Sequence, residues 1–276
     1  MKEICTALEI SRSGFYDHTH KHRRTRRLQD EVLAQEVREA FLESRATYGT
    51  PRLRHELRER GHVCGRRRIG RLMRQQGLHA LRKGRFIPRH HRDSSHGREV
   101  APPRLLEMPA PTEPNQVWVT DLTYIPTAEG WLFLAAELDL FSRRVLGWAA
   151  GDTMETGLVL EALDGAVAQS RGRLAGLVHH SDQGSQYASH DFTTALAELD
   201  VDQSMSRRGN CYDNATAESF WATLKTECFN NIIPPTRDDA KTMIFDDIET
   251  FHNPVRRHSA LGFLSPVAFE NRFHHN

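Results

Sequence analysis

The sequence predicts two modules, a small basic all-helical domain followed by a mixed α/β sheet covered by helices. Three observations carry that prediction. Charge divides the 276-residue chain, because residues 1–100 hold 24 Lys and Arg against 12 Asp and Glu while residues 101–276 hold 13 against 24, and the net charge of +1 hides the split. Six of the twelve prolines fall between residues 88 and 114, together with His90, His91, Ser94, Ser95 and Gly97, which reads as an extended linker at the charge switch. Hydrophobic periodicity is helical before that linker and alternates like strands after it.

Taken in order, Ile4–Tyr16 with its small-residue turn at Ser11–Gly14 hints at a first helical unit. Val32, Leu33, Val37, Ala40 and Phe41 share one face of a helix over 31–43. Thr50-Pro51 is a helix start, with Thr as N-cap and Pro at the first helical position. That helix buries Leu53 and Leu57 and stops near Gly61; a second, over 65–76, turns Ile69, Leu72 and Met73 inward. Arg66, Arg67, Arg68, Arg71 and Arg74 are left largely on its outer face, and a Gly-containing turn followed by an Arg-studded helix is a helix-turn-helix pattern suited to DNA phosphates and the major groove. The alternative is an ordinary helical hairpin with a charged face. Beyond the linker, 116–126, 130–140 and 144–150 read as three strands, followed by a helix over 155–169, a strand over 176–181, a helix over 190–199, a short strand over 202–206 and a helix over 215–229.

Other classes fall away. No apolar run approaches the roughly 18–20 residues that span a bilayer, no signal peptide is read at the start, and Cys5, Cys64, Cys211 and Cys228 are scattered without a C-x-x-C pair. A reducing cytoplasm and no membrane partner are expected.

Three acids stand out by placement. Asp121 lies on the strand face shared by Val117, Val119 and Thr123, where a carboxylate is costly unless paired or metal-bound. Asp182 follows the apolar strand GLVHHSD at its carboxyl end, where α/β sheets hold ligands. Glu218 sits on a helix whose apolar positions are Phe220, Trp221 and Leu224. Phosphoryl transfer gives such a trio a purpose, because two Mg²⁺ ions bound by a few carboxylates can serve both the attacking and the leaving oxygen.

The spacing, with 35 residues between Asp182 and Glu218, resembles the D,D-35-E signature of retroviral-type integrases and bacterial transposases. The surrounding text is similar to the transposases of two-frame bacterial insertion sequences, the IS-three family, in its second-reading-frame product. The stretches that carry the resemblance are PNQVWVTDLTYI (114–125), LDLFSRRVLGW (138–148), HSDQGSQY (180–187), SMSRRGNCYDNATAESFWATLKTE (204–227) and RRHSALGFLSP (256–266), with YGTPRLRHEL (48–57) upstream.

The resemblance implies an RNase-H-like, retroviral integrase-type core preceded by a small helix-turn-helix domain. It implies Asp121, Asp182 and Glu218 as catalytic acids and ligands of a two-metal Mg²⁺ site in which Mn²⁺ substitutes. Lys225, two helical turns past Glu218, would touch DNA phosphate near the active site, and Arg207 and Arg208, in the loop before that helix, would clamp phosphate. Tyr212 and Asp213 precede the helix, Asn214 caps it or supports a ligand, and His180 orients a ligand or water. His252-Asn253 stands where the family usually has Tyr-Asn. The expected division is a basic helical segment over 1–30, a helix-turn-helix domain over 31–84, a Pro- and His-rich linker over 85–113, a catalytic core over 114–232 and a helical extension over 233–276.

The function expected is cleavage at an element's terminal inverted repeats and strand transfer into target DNA. The partners are those DNAs, the upstream-frame product as fusion or assembly partner, and further copies of the chain on DNA, in a nucleoid-associated cytoplasmic setting. A catalytically inert protein that only occupies or represses element ends is the alternative, and a non-specific nuclease a third reading.

Overall fold

The structure, a computed structural model, describes residues 2–9, 11–81, 97–170, 174–207 and 214–274, without the side chains of 2, 3, 17–24 and 106. Arg208, Tyr212, Asp213 and residues 85–96 of the linker lie outside those residues. The chain divides into two compact units, 1–81 and 82–276.

In the first unit a short helix α1 (Lys2–Ala7) precedes a long α2 (Arg12–Glu43), capped by the Ser11 hydroxyl, which accepts from the Gly14 N–H at 2.9 Å. Helices α3 (Thr50–Glu59) and α4 (Arg66–Gln75) complete it. The core is the expected set Leu33, Val37, Ala40 and Phe41 with Leu53, Leu57, Ile69, Leu72 and Met73. Val32 is exposed, one position off the buried stripe of α2. The N-cap of α3 is Gly49 rather than Thr50, so Pro51 stands in the first turn, where its missing N–H costs nothing.

The second unit is built on a five-stranded sheet in the order β3-β2-β1-β4-β5. Strands β1 (Val117–Thr127), β2 (Gly130–Asp139) and β3 (Val145–Gly151) form an antiparallel meander, and β4 (Val178–Ser181) and β5 (Asp202–Met205) run parallel to β1 on its other side. Helices α5 (Thr156–Ser170) and α6 (His190–Glu198) supply the crossovers. Period-2 alternation sorts the side chains of β1. Val117, Val119 and Ile125 join a cluster with Phe220, Trp221 and Leu224 of α7 (Ala215–Leu224) and Ala240 and Ile244 of α8 (Arg237–Phe245), and Trp118 joins a second cluster with α5 and α6. Helix α9 (Pro266–His274) ends the fold.

Two close approaches depend on residue size. Strand β3 crosses α5 at Gly147, where a Cβ would stand 2.1 Å from the Ala162 carbonyl oxygen and 2.4 Å from the Ala166 nitrogen. On β3, an edge strand, Asn253 presents its amide to the backbone of Val145, accepting from the N–H at 3.0 Å and donating to the C=O at 2.9 Å.

Candidate active site

Strand register brings two of the three acids together. Val117, Trp118 and Val119 of β1 pair with Val178, His179 and His180 of β4, and the same offset sets Asp121, midway along β1, level with Asp182, which follows the carboxyl end of β4. Both are buried, Asp121 at 4% and Asp182 at 8% exposure. An Oδ1 of Asp121 accepts from the Leu122 N–H at 3.0 Å, and one of Asp182 from the Gly184 N–H at 2.9 Å. Gly184 is needed there, since an added Cβ would lie 3.0 Å from that same carboxylate oxygen. Two buried carboxylates at one level of adjacent strands are expensive without a counter-charge, and hard oxygen donors of this kind fit a divalent cation.

Glu218 rides on the first turn of α7. Among the described residues no group of three or more His, Cys, Asp or Glu is gathered closely enough to hold a metal ion, so Glu218 does not join the aspartates in one cluster here. Lys225, next after α7, lies near Asp121: burial lowers its ammonium pKa, and the Asp121 carboxylate draws it back upward. Its Nζ stands 5.0 Å from the centre of the Tyr124 ring. Arg207 is exposed, just before the stretch that is not described.

Thr120 is the node that sequence reasoning missed. Its hydroxyl donates to the Ala136 carbonyl at 3.0 Å and lies 3.2 Å from the Tyr187 hydroxyl, which belongs to the loop after Asp182. Its backbone carbonyl accepts from Asn214 Nδ2 at 2.9 Å. Asn214 therefore makes no side-chain cap on α7 and instead ties the start of that helix to the residue before Asp121. One residue thus links all three acid-bearing elements. Burial pushes the Tyr187 phenol well above its usual range, and the charges of Asp121, Asp182 and Glu137 push it the same way, so it remains a hydrogen-bond donor. The only signal in the sequence was the tyrosine closing HSDQGSQY.

Two histidines differ in role. His180 places Nδ1 2.9 Å from the Ser204 hydroxyl and Nε2 3.1 Å from that of Ser206, which ties β4 to β5 and leaves neither nitrogen pointed at a ligand. His179 pairs with Glu137 at 2.9 Å, both wholly buried behind the aspartates. His252, in the place of the family's tyrosine, packs against Phe220 and His258 at 5.0 and 4.9 Å between ring centres.

In the first unit the five arginines of α4 divide. Asp30 of α2 accepts from Arg68 and Arg71, both at 2.7 Å, while Arg66, Arg67 and Arg74 are exposed. Partial burial raises the Asp30 pKa, but the hydrogen bonds and charges of the two arginines outweigh it and hold the carboxyl below its usual range.

Comparison with known proteins gives this arrangement relatives. An HTH-like domain family matches residues 27–86, and integrase core domain families match 111–211 and 199–266. The chain is 43% identical to the "Insertion element IS600 uncharacterized 31 kDa protein" of Shigella sonnei over 98% of both chains. It is 38% identical to "Transposase InsF for insertion sequence IS3A" of Escherichia coli (strain K12), covering 99% of this chain and 94% of that one. Among solved structures it is similar to the HTLV-2 integrase catalytic core domain in complex with magnesium (trimeric form), at 14% identity and a TM-score of 0.44, over 58% of this chain and 98% of that one.

Proposed function

The chain belongs to the IS-three family of insertion-sequence transposases, with an integrase core of RNase-H-like fold, and from that premise we propose that Asp121, Asp182 and Glu218 are the acids of its polynucleotidyl transfer site. The enzyme is a DNA transposase that depends on divalent metal, binds DNA and assembles as an oligomer. Among the described residues no helix is long and apolar enough to cross a membrane. The observation that carries the assignment is the level placement of the buried Asp121, midway along β1, and Asp182, just past the end of β4.

In the proposed reaction a water oxygen attacks the phosphorus at the element's end, the P–O bond to the 3′ oxygen breaks and that oxygen takes up a proton, leaving a 5′-phosphate and a 3′-hydroxyl. The freed 3′-hydroxyl then attacks a phosphodiester of target DNA, whose own P–O bond to its 3′ oxygen breaks to release a target 3′-hydroxyl. Asp121 and Asp182, with Glu218, would hold divalent Mg²⁺ or Mn²⁺, which when bound would supply activation of the attacking oxygen and charge for the leaving one. Thr120, through Tyr187 and Asn214, keeps the loop after Asp182 and the start of α7 aligned with Asp121. Lys225, with Arg207 and Arg208, meets phosphate near the site. Arg66, Arg67 and Arg74 carry duplex contacts in the helix-turn-helix, while Arg68 and Arg71 act chiefly by fixing α4 to α2 through Asp30. The DNAs read are the terminal inverted repeats and a target, and the upstream-frame product is the assembly partner, in a nucleoid-associated cytoplasmic setting.

The test is cleavage of labelled DNA carrying the element's own ends by this chain, by its Asp182→Asn form and by a fusion to the upstream frame. A nick that needs both Mg²⁺ and Asp182 is the expected result. Ends that are bound but never cut, even by the fusion with Mn²⁺, would overturn the assignment in favour of an inert end-binding protein.

A further inference from the structure

Tyr124 and Trp131 are the only large hydrophobic side chains on strands that stand exposed among the described residues, each at 51%. They face one another across the β1–β2 hairpin with ring centres 4.9 Å apart and planes at 79°. A cross-strand aromatic pair steadies a hairpin, but leaving half of two such rings in water forgoes burial that the fold takes everywhere else on the sheet. The pair does not stand alone. Lys225 Nζ lies 5.0 Å from the centre of the Tyr124 ring, and the same lysine interacts with the Asp121 carboxylate. Along β1, Tyr124 is three residues from Asp121, a rise of about 10 Å that puts the two side chains on opposite faces of the strand, and Lys225 is the group that interacts with both.

We propose that Tyr124 and Trp131 form a stacking platform for the base of an unstacked nucleotide, whose phosphate is met by Lys225. The occupant is single-stranded DNA next to the cleavage point. Its bases offer a π-face whatever the sequence, and its phosphates complement Lys225 beside the Tyr124 ring and Arg237, whose Nε donates to the Trp131 carbonyl at 3.0 Å. Duplex DNA keeps its base faces covered by their neighbours and gains nothing from the two rings. The platform therefore holds the end of the element open while the acids act on the adjoining phosphate. The proposal rests on the reading of the acids as a DNA-cleaving site, but its test measures binding alone and is independent of cleavage.

The experiment uses the full chain with Asp182→Asn, in EDTA, titrated with an oligothymidylate and with a blunt duplex of the same length, each of about twelve nucleotides per strand. Trp131→Ala is expected to weaken the oligothymidylate by about 5- to 150-fold, the range that one base–aromatic stack commands. Trp131→Phe, which keeps a ring, restores most of that loss, and duplex affinity changes by less than about 2-fold because the helix-turn-helix carries it. Equal loss for both DNAs, or no loss for either, overturns the platform. Unchanged oligothymidylate binding with lost self-association in sedimentation would also overturn it and reassign the rings to a contact between copies. A parent chain that binds as expected but never nicks DNA in Mg²⁺ would defeat the catalytic reading and leave the platform standing.

Discussion

Replacing Tyr187 by Phe removes one oxygen from a buried node and tests whether that node aligns the site. The Thr120 hydroxyl spends its single proton on the Ala136 carbonyl at 3.0 Å, so the 3.2 Å contact with Tyr187 has the phenol as donor. Loss of that donor leaves Thr120 bonded to Ala136 and the ring packed against Phe192 at 5.5 Å, and nothing buried is orphaned. The net cost is then one neutral hydrogen bond, about 1 kcal/mol, or a Tm lower by about 2–4 °C for a unit of this size. Thr120→Val instead strands the Tyr187 hydroxyl in the core and costs about 2–4 kcal/mol. Adding Tyr187→Phe to Thr120→Val should therefore cost nothing further, because the shared hydrogen bond is already gone, which is a coupling of about 1 kcal/mol in a urea-denaturation cycle. End cleavage by Tyr187→Phe should fall about 10-fold, since the loop bearing Asp182 loses its tie to β1. Two results would refute the reasoning: no coupling between the two positions, or a cleavage loss above about 1,000-fold at unchanged stability, which would make the phenol a direct participant.

Three further outcomes follow from packing and charge. Gly147→Ala drives a methyl into backbone atoms of α5 and should leave the chain insoluble or without a cooperative thermal transition, whereas Gly157→Ala, with nothing within 4 Å of the added carbon, should shift Tm little. Arg256 grips Glu227 with two bonds of 2.6 and 2.7 Å while the side chains are only 4% and 7% exposed, so Arg256→Ala should cost about 3–5 kcal/mol in chemical denaturation. Asp30 has its pKa lowered in the folded state, so the stability it lends is present above the unfolded value of about 3.9 and is lost as pH falls through the folded one. Hydrogen exchange of α4 amides in the full chain should accelerate below about pH 4, and Asp30→Asn should show the faster exchange already at pH 7.

The fold was legible because its elements obey simple periods. Alternation along VWVTDLTYI placed Val117 and Val119 against α7 and left Asp121 on the same face, and the 3.6-residue repeat of RRRIGRLMRQ buried Ile69, Leu72 and Met73. Strand ends came within a residue or two, since Gly130 and Arg144 mark the turns. Pairings across the sheet were not legible. Nothing in the order of residues says that Thr120 meets Tyr187, 67 positions away, or that Asn214 reaches back 94 positions to a carbonyl, because both depend on the parallel β1–β4 register. The same holds for Arg68 and Arg71: the helical pattern puts them on an outer face, and only the packing of α2 against α4 brings Asp30 between them. Charge patterning finds a basic surface, and tertiary structure decides which of its cations are already spent.

The amide of Asn253 does for Val145 what a neighbouring strand would do, filling both the donor and the acceptor of one rung on the outermost strand. A chain ending between residues 229 and 253 keeps every proposed active-site residue. Such a fragment has lost the side chain that occupies this rung, and the nearer its break to residue 229, the more of Ala240, Ile244 and Ile248 it lacks over the apolar face beneath. An open rung beside uncovered apolar surface recruits other chains. A chain ending before residue 253 is therefore expected to be prone to aggregation, and Asn253, the residue whose loss opens the edge, lies outside the proposed catalytic set.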